Sequence, residues 1–514
     1  MAASDIVAAA ILLFGLIYVY GKWNAPGSKL RLPPGPAPLP LVGNIHQVPF
    51  EHQQNAFTAW GKKYGPVVYA KFLSTQVIIL NSVQAAEDLL ERKGAIYSDR
   101  PPSIVISDMI GYKPIMVFLP YAEEWRLQRK WFQTIFKSLD KYRPVQQRES
   151  LKLVKDIIES PNAFIQHIKR YPSALMMEIA YGRPVSHADD EFVDLSNRTL
   201  KEVVELGSLA STVIDFIPPL QYIPTWMPGS GFKRRAIKAY ELTQAMINIP
   251  YRQVKEEMES GSAKPSFLKT LLEEHSKNRS PTPEDEAQMR GASSVMYAAG
   301  SDTTNSVLQS FVLAMVLHPQ VFQKAQEEVD RVIGYGRLPD LNDENSLPYL
   351  ECVIKEVYRW AATAPLGIPH RVMEDDEYNG YHIPKGCMIV ANISAMTRDP
   401  NMYFDPETFL PERFENMDAE EAELKDSRRM IFGFGRRICP GRHLADSSVW
   451  IAAARMLAVL DIRKARDLNG MEITPEPIFV SGAVSHPKPF ICDIRPRSDK
   501  VVDMVEHMYA SVVA

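Results

Sequence analysis

The chain has 514 residues, of which 46% are hydrophobic and 23% charged, and its net formal charge is −4. That length supports a large buried core, and the composition is globular rather than disordered or fibrous. The small acidic excess excludes nucleic acid as the main partner, so any charge-steered partner must meet a local patch.

Residues 2–21 carry only Asp5 as a charge and include an uncharged apolar run from 6 to 20. About 20 residues of helix at ~1.5 Å each cover a ~30 Å hydrocarbon core, so residues 1–22 are expected to form a transmembrane anchor. A cleaved signal peptide is the rival reading, but no basic segment precedes the run and no small-x-small site closely follows it. Lys22, Lys29 and Arg31 come next, which orients the rest of the chain toward the cytosol. On that orientation the sequons at Asn197, Asn278 and Asn392 are chance matches. Residues 23–40 read as a proline-rich linker, since 32–44 holds five prolines that keep the backbone extended. No repeat, low-complexity tract or second linker follows, and 41–514 reads as one domain.

Within that domain, β-like runs at 67–72, 77–80 and 388–392 are outnumbered by helical patterns at 122–136, 284–317 and 349–361. The fold class is mainly α with a smaller β portion. The longest predicted helix opens at Pro283 with Glu284, Asp285 and Glu286 in its first turn and closes at His318-Pro319. Apolar for most of its length, it is expected to cross the middle of the protein. Its centre, residues 298–306 (AAGSDTTNS), is poor helix sequence, and a local breach of propensity in a buried helix marks a place where function is expected.

Four cysteines, Cys352, Cys387, Cys439 and Cys492, form no CxxC pair and no disulfide spacing, which suits a reducing compartment. Three of them sit in apolar or strand-like contexts as small buried hydrophobes. Cys439 differs. It lies in FGFGRRICPGRHLA, residues 432–445, where Gly433 and Gly435 permit a tight turn and Pro440-Gly441 leads into a helix. The helix N-terminus and the cations Arg436 and Arg437 are expected to favour a thiolate there. A thiolate is either a nucleophile, with His443 as the nearest base, or a metal ligand.

Phe432, Gly435, Arg437, Cys439 and Gly441 meet the pattern Phe-x-x-Gly-x-Arg-x-Cys-x-Gly, which resembles the haem-binding loop of the cytochrome P-450 superfamily. Further matches extend the resemblance over nearly the whole chain after the anchor. The resemblance implies that Cys439 is the proximal ligand of a haem b (iron protoporphyrin IX), held beneath a long central helix. It implies structural roles for Glu356 and Arg359 of a Glu-x-x-Arg motif, paired with Arg413 of the Pro-Glu-Arg-Phe segment at 411–414. Ala299-Gly300-x-Asp302-Thr303-Thr304 is similar to the family's oxygen-activation motif, in which Asp302 and Thr303 relay protons; the bland alternative is a helix whose Asp and Thr satisfy backbone groups. Trp125 and Arg129, His370 and Arg437 are implied as propionate partners, and Tyr112 or Lys113 as a further one. Arg126, Lys130, Lys137, Arg436 and Arg442 form either a patch for an acidic redox partner or an ordinary solvated face.

The resemblance also implies a fungal microsomal monooxygenase in the endoplasmic reticulum membrane, single-pass with its catalytic domain cytosolic, receiving electrons from NADPH through a separate flavoprotein reductase. Segments that line the pocket in relatives transfer by position to 103–118, 206–226, 292–303, 364–368 and 479–483. They present Ile104, Ile106, Met109, Phe216, Leu366, Ile368 and Phe479, which favours a lipophilic small-molecule substrate. Residues 214–227 are either a membrane-dipping stretch or core. Secondary metabolism, such as hydroxylation of a terpenoid or polyketide, is the expected setting. Detoxification of foreign aromatics and a non-catalytic membrane haem protein are the alternatives.

Overall fold

The computed structural model describes residues 31–185, 190–206, 213–228, 230–277 and 279–513. The expected anchor at 1–22 and Asn278 lie outside the described residues. Among those described, no helix is long and apolar enough to cross a membrane.

The elements that matter for the site run in chain order as follows. Strands β1 (Val67–Phe72) and β2 (Thr75–Leu80) precede helices α1 (Glu123–Ile135), α2 (Arg143–Glu159), α3 (Phe164–Tyr181), α4 (Gly231–Glu259), α5 (Pro283–Leu317) and α6 (Pro348–Trp360). Strands β3 (His370–Arg371) and β4 (Met388–Ala391) follow, then α7 (Arg442–Val459), β5 (Leu460–Arg466), β6 (Glu472–Ile473), β7 (Cys492–Pro496) and α8 (Asp499–Val513). The mainly α expectation holds, and the predicted elements agree with the observed ones to within a few residues. One sheet has the order β1-β2-β4-β3, with β2 and β4 parallel (Val77 beside Met388, Leu80 beside Ala391) and the other pairs antiparallel. A second sheet has the order β6-β5-β7.

Helix α5 starts where it does because Thr282 accepts from the Asp285 amide while the Asp285 carboxylate accepts from the Thr282 amide. This reciprocal cap satisfies two backbone donors that a helix start otherwise leaves open. From Met289 to Val316 the helix is buried around most of its circumference, as a core-crossing helix must be. At its awkward centre Ser301 and Thr303 donate to the carbonyls of Tyr297 and Ala299 at 2.7 and 2.8 Å, so their hydroxyls are satisfied within the helix. Gly291 permits a close crossing, since a Cβ there would lie 2.2 Å from the Pro114 carbonyl oxygen. The largest apolar cluster joins the C-terminal half of α5 to α2, α6 and α7, with Trp450, Phe311 and Leu457 almost fully enclosed.

Asn392, expected to end the last strand of the first sheet, instead caps the next helical turn through the Ala395 amide. Its side-chain amide donates to Gln54 O, Thr58 and Asn81, and the residue is fully buried.

Candidate active site

A cavity of about 280 Å³ lies between the segment carrying Cys439 and helix α5. The segment holds its shape through two glycines with positive φ, Gly433 (76°) and Gly435 (55°). Gly435 is doubly required, because a Cβ would fall 2.2 Å from the Leu90 carbonyl oxygen. The Cys439 amide donates to Phe432 O at 2.8 Å, which folds the turn back on itself and sets the thiol in the cavity wall just before α7. Burial pushes the Cys439 thiol up, while the Gly441 amide and the Arg129 and Arg442 guanidinia oppose it. The cations acting on the sulfur are therefore not the two expected from sequence. Arg436 bonds the Tyr121 hydroxyl, and Arg437 reaches the carbonyls of Ser98 and Leu119. His443 is exposed and does not line the cavity, which removes the base that a nucleophilic cysteine would need.

The other site residues expected from sequence divide into two groups. Trp125, Arg129, His370, Phe432, Arg437 and Gly441 all line the cavity with Cys439, and so do Gly300 and Thr303. Trp125 and Arg129, one turn apart on α1, are both buried; Arg129 donates to Ile438 O at 2.6 Å, and the Arg437 guanidinium lies 4.5 Å over the Trp125 ring. Asp302 is the exception. It does not line the cavity but pairs with His486 at 3.1 Å. Tyr112 is buried and Lys113 is exposed; neither borders the cavity.

Glu356, Arg359 and Arg413 form a fully enclosed triad beside the site. The Glu356 carboxylate accepts from Arg359 at 2.7 Å twice, from Arg413 at 3.1 and 3.2 Å and from the Leu410 amide at 2.7 Å. Arg359 also donates to the carbonyls of Thr397, Pro406 and Thr408, so the triad ties α6 to the meander that leads toward residue 432.

Arg100 was not anticipated. It is buried, lines the cavity and donates to the carbonyls of Val117, Ile368 and Pro369. Arg100, Arg129 and Arg437 thus converge on one cavity, and none has a carboxylate ion-pair partner among the described residues. Burial and mutual repulsion lower the proton affinity of Arg100 and Arg437; the Asp99 carboxylate opposes this, but it is itself engaged with the Tyr121 amide and Arg371. Two buried cations, Arg100 and Arg129, and a half-buried third, Arg437, facing an apolar space are costly unless an anion completes them. The two propionates of a haem would supply that charge, and the Cys439 sulfur could serve as a ligand for its iron. His370 is buried, its Nδ1 2.8 Å from Tyr97 O, and burial with the nearby Arg100 holds it well below the usual histidine range. With the Nδ1 proton given to that carbonyl, neutral His370 offers Nε2 only as an acceptor.

The remaining lining is apolar. Helix α5 contributes Val295, Met296 and Ala299, and the loop after α6 contributes Ala364 and Ile368. Leu175 and Met176 of α3 also line the cavity, although no sequence signal marked them; a Cβ on Gly300 would meet the Met176 side chain at 2.8 Å. Several residues expected in the pocket pack elsewhere: Phe216 and Leu366 against the cluster around Phe57, and Phe479 edge-on to Trp360 at 5.5 Å.

A cysteine set in the wall of an apolar cavity, rimmed by unpaired buried cations and bordered by one long helix, defines a haem-thiolate protein. The chain belongs to the cytochrome P450 family, whose model matches residues 33–492. It is 46% identical to Cytochrome P450 monooxygenase 176 of Postia placenta, over 98% of this chain and 97% of that one. It is 37% identical to Cytochrome P450 monooxygenase claR of Ampulloclitocybe clavipes (98% and 94%) and 36% identical to Tryptamine 4-monooxygenase of Psilocybe cyanescens (97% and 99%). The chain is accordingly a cytochrome P450 monooxygenase, and family membership implies haem as its cofactor.

Proposed function

We propose that this enzyme inserts one atom of O2 into a lipophilic small molecule in fungal secondary metabolism, with electrons from NADPH delivered by a separate flavoprotein reductase. The observation that carries the reading is the cavity beside Cys439, to whose lining the centre of α5 contributes the two threonines Thr303 and Thr304 amid Val295, Met296 and Ala299. Haem, when bound, supplies the iron at which oxygen is activated. The chain's own residues do the rest. Arg100, Arg129 and Arg437 would neutralise the propionates, with Trp125 beside them, whereas neutral His370 has no proton at Nε2 to donate to them. Phe432, Gly435 and Gly441 shape the loop that presents the Cys439 sulfur.

Thr303 holds a hydroxyl at the cavity wall and Asp302 is the acid that resupplies it with protons, while the apolar lining excludes bulk water and selects apolar substrates. Exposed Arg126, Lys130, Lys137 and Arg436 lie on the segments that carry the thiolate side of the site, and they suit an acidic reductase surface. Residues 1–22 hold the enzyme in the endoplasmic reticulum membrane with its catalytic domain in the cytosol.

The test is the absorption spectrum of the reduced, carbon-monoxide-bound protein, followed by turnover with NADPH and reductase on a panel of terpenoids, polyketides and aromatics. A strongly red-shifted Soret band, lost in Cys439→Ala, and NADPH-dependent oxygenation of a panel compound are expected. An imidazole-type band in the wild type would overturn the thiolate assignment. Turnover only with peroxides, indifferent to reductase, would overturn the proposed electron route.

A further inference from the structure

Among the described residues Asp302 has one ion-pair partner, and it comes from a distant part of the chain. His486 Nε2 lies 3.1 Å from Asp302 Oδ1, and the two side chains are 20% and 17% exposed. The pair therefore touches solvent on one side, while the neighbouring Thr303 lines the cavity on the other. The segment bearing His486 is fixed against α5. Ser306 of α5 donates its hydroxyl to Ser485 O at 2.5 Å, the Ser485 amide donates to Thr363 O at 2.8 Å, and the Val480 amide closes the turn onto His486 O at 2.8 Å. His486 is thus held in place by backbone bonds on both sides rather than lying loose on the surface.

The other charged groups that face Asp302 do not offer the same function. Lys169 of α3 is near enough to sense both Asp302 and Asp194, but burial depresses its proton affinity and it forms no ion pair with Asp302 among the described residues. An imidazole can accept a proton at one nitrogen and release one from the other, which neither an ammonium nor an amide does near neutral pH.

We propose that His486 is the positioning and proton-loading residue for Asp302, the point at which protons from solvent enter the route to the cavity; this rests on the reading of Asp302 as the acid behind Thr303. In each passage a proton from solvent adds to Nδ1 of the neutral ring, the resulting imidazolium passes its Nε2 proton to Asp302 Oδ1, and proton exchange of the ring nitrogens with water restores the Nε2–H tautomer. Asp302 then passes one proton toward Thr303, so one proton moves from solvent to cavity and no electrons are transferred by these groups. Between passages the His486 bond keeps the carboxylate on the solvent side of α5.

The experiment uses the full-length holoenzyme with its reductase, NADPH and O2 and no added substrate, and compares wild type, His486→Gln, His486→Ala and Asp302→Asn. Glutamine can keep a hydrogen bond to the carboxylate but cannot carry a proton. NADPH oxidation is expected to fall about five- to tenfold in both His486 variants, because water can still load Asp302 slowly, and further in Asp302→Asn, toward the roughly 10²–10⁴-fold loss of a proton-transfer group itself. The solvent deuterium isotope effect should rise in each, while the carbon-monoxide spectrum and haem content stay as in the wild type.

A second reading does not depend on turnover: in protein labelled with ¹⁵N-histidine, the ring signal that disappears in His486→Gln should shift in Asp302→Asn. Wild-type rates in His486→Gln beside an impaired Asp302→Asn would overturn the proton-loading role and leave a structural one. A ring signal unmoved by Asp302→Asn would show that the pair does not form. Wild-type rates in Asp302→Asn itself would overturn the acid reading, and the role of His486 with it.

Discussion

At the scale of single residues, the cost of the site falls on its cations. Among the described residues, the hydrogen bonds of Arg100, Arg129 and Arg437 go to carbonyl oxygens, which satisfy guanidinium donors without neutralising their charge. Such a group destabilises the empty fold and strengthens the filled one, because the anion it awaits arrives with the cofactor. Replacing Arg100 with leucine should therefore leave the thiolate-type spectrum of bound haem intact while speeding haem loss. A charged hydrogen bond of about 1.5–3 kcal/mol corresponds to roughly a ten- to hundredfold change. Haem transfer to an excess of scavenging globin measures that rate, and an unchanged rate would exclude Arg100 from propionate binding. Cys439, Gly435 and Arg437 were legible in the sequence because a tight turn constrains both spacing and residue type. Arg100 was not, since it stands in SDRPP, an extended segment with no periodicity to aim its side chain. Nor could sequence show that Asp302 leaves the cavity, because its partner His486 is 184 positions away.

At the scale of elements, two local networks decide whether the site keeps its shape. Glu356 is fully buried and accepts from two arginines and a backbone amide, so removing its carboxylate strands Arg359 and Arg413 together. Breaking one partner of a buried ion pair costs about 3–5 kcal/mol. Glu356→Ala is thus expected to unfold at markedly lower urea and to accumulate without haem, as reported by the urea midpoint and by the haem-to-protein absorbance ratio.

The second network is the cap of α5. Bonds from Thr282 bring Asp285 down from its usual value of 3.8 to about 2. A depressed carboxylate stabilises the fold above its unfolded-state pKa and loses that contribution as pH falls toward the folded value. Asp285→Ala should therefore be less stable than wild type by about 1 kcal/mol. The gap should narrow below about pH 4, as the unfolded-state carboxyl takes up its proton. Urea unfolding at several pH values checks this in a His275→Gln background, since His275 lies 3.2 Å from the same carboxylate, and a gap that does not narrow below about pH 4 would overturn it. The acids of that first turn were visible in the sequence, but Thr282 as the reciprocal partner was not separated from the preceding SPTP loop.

At the scale of the whole molecule, the stretch at 214–227 resolves a choice that sequence left open by dividing in two. Ile214 is 3% exposed, whereas Tyr222 and Trp226 are 77% and 78% exposed, with Ile217 and Met227 also on the surface. Burial of the first part and exposure of the second cannot be separated by composition alone, since both halves are apolar. Two large aromatics displayed together suit the interface of a bilayer, where an apolar ring with a polar edge is favoured. A protein with the proposed anchor at 1–22 would then meet the membrane twice.

Deleting residues 1–22 should convert the enzyme from one that resists alkaline carbonate extraction to one that is extracted yet still binds anionic vesicles weakly. Adding Trp226→Ser and Tyr222→Ser to the truncated chain should reduce that residual binding about tenfold or more, since each buried aromatic contributes on the order of 1.5–3 kcal/mol. Vesicle co-sedimentation with reduced carbon-monoxide spectra taken in parallel separates loss of binding from loss of fold. If the truncated chain binds equally well with and without the two aromatics, the second contact lies elsewhere on the surface and the anchor acts alone.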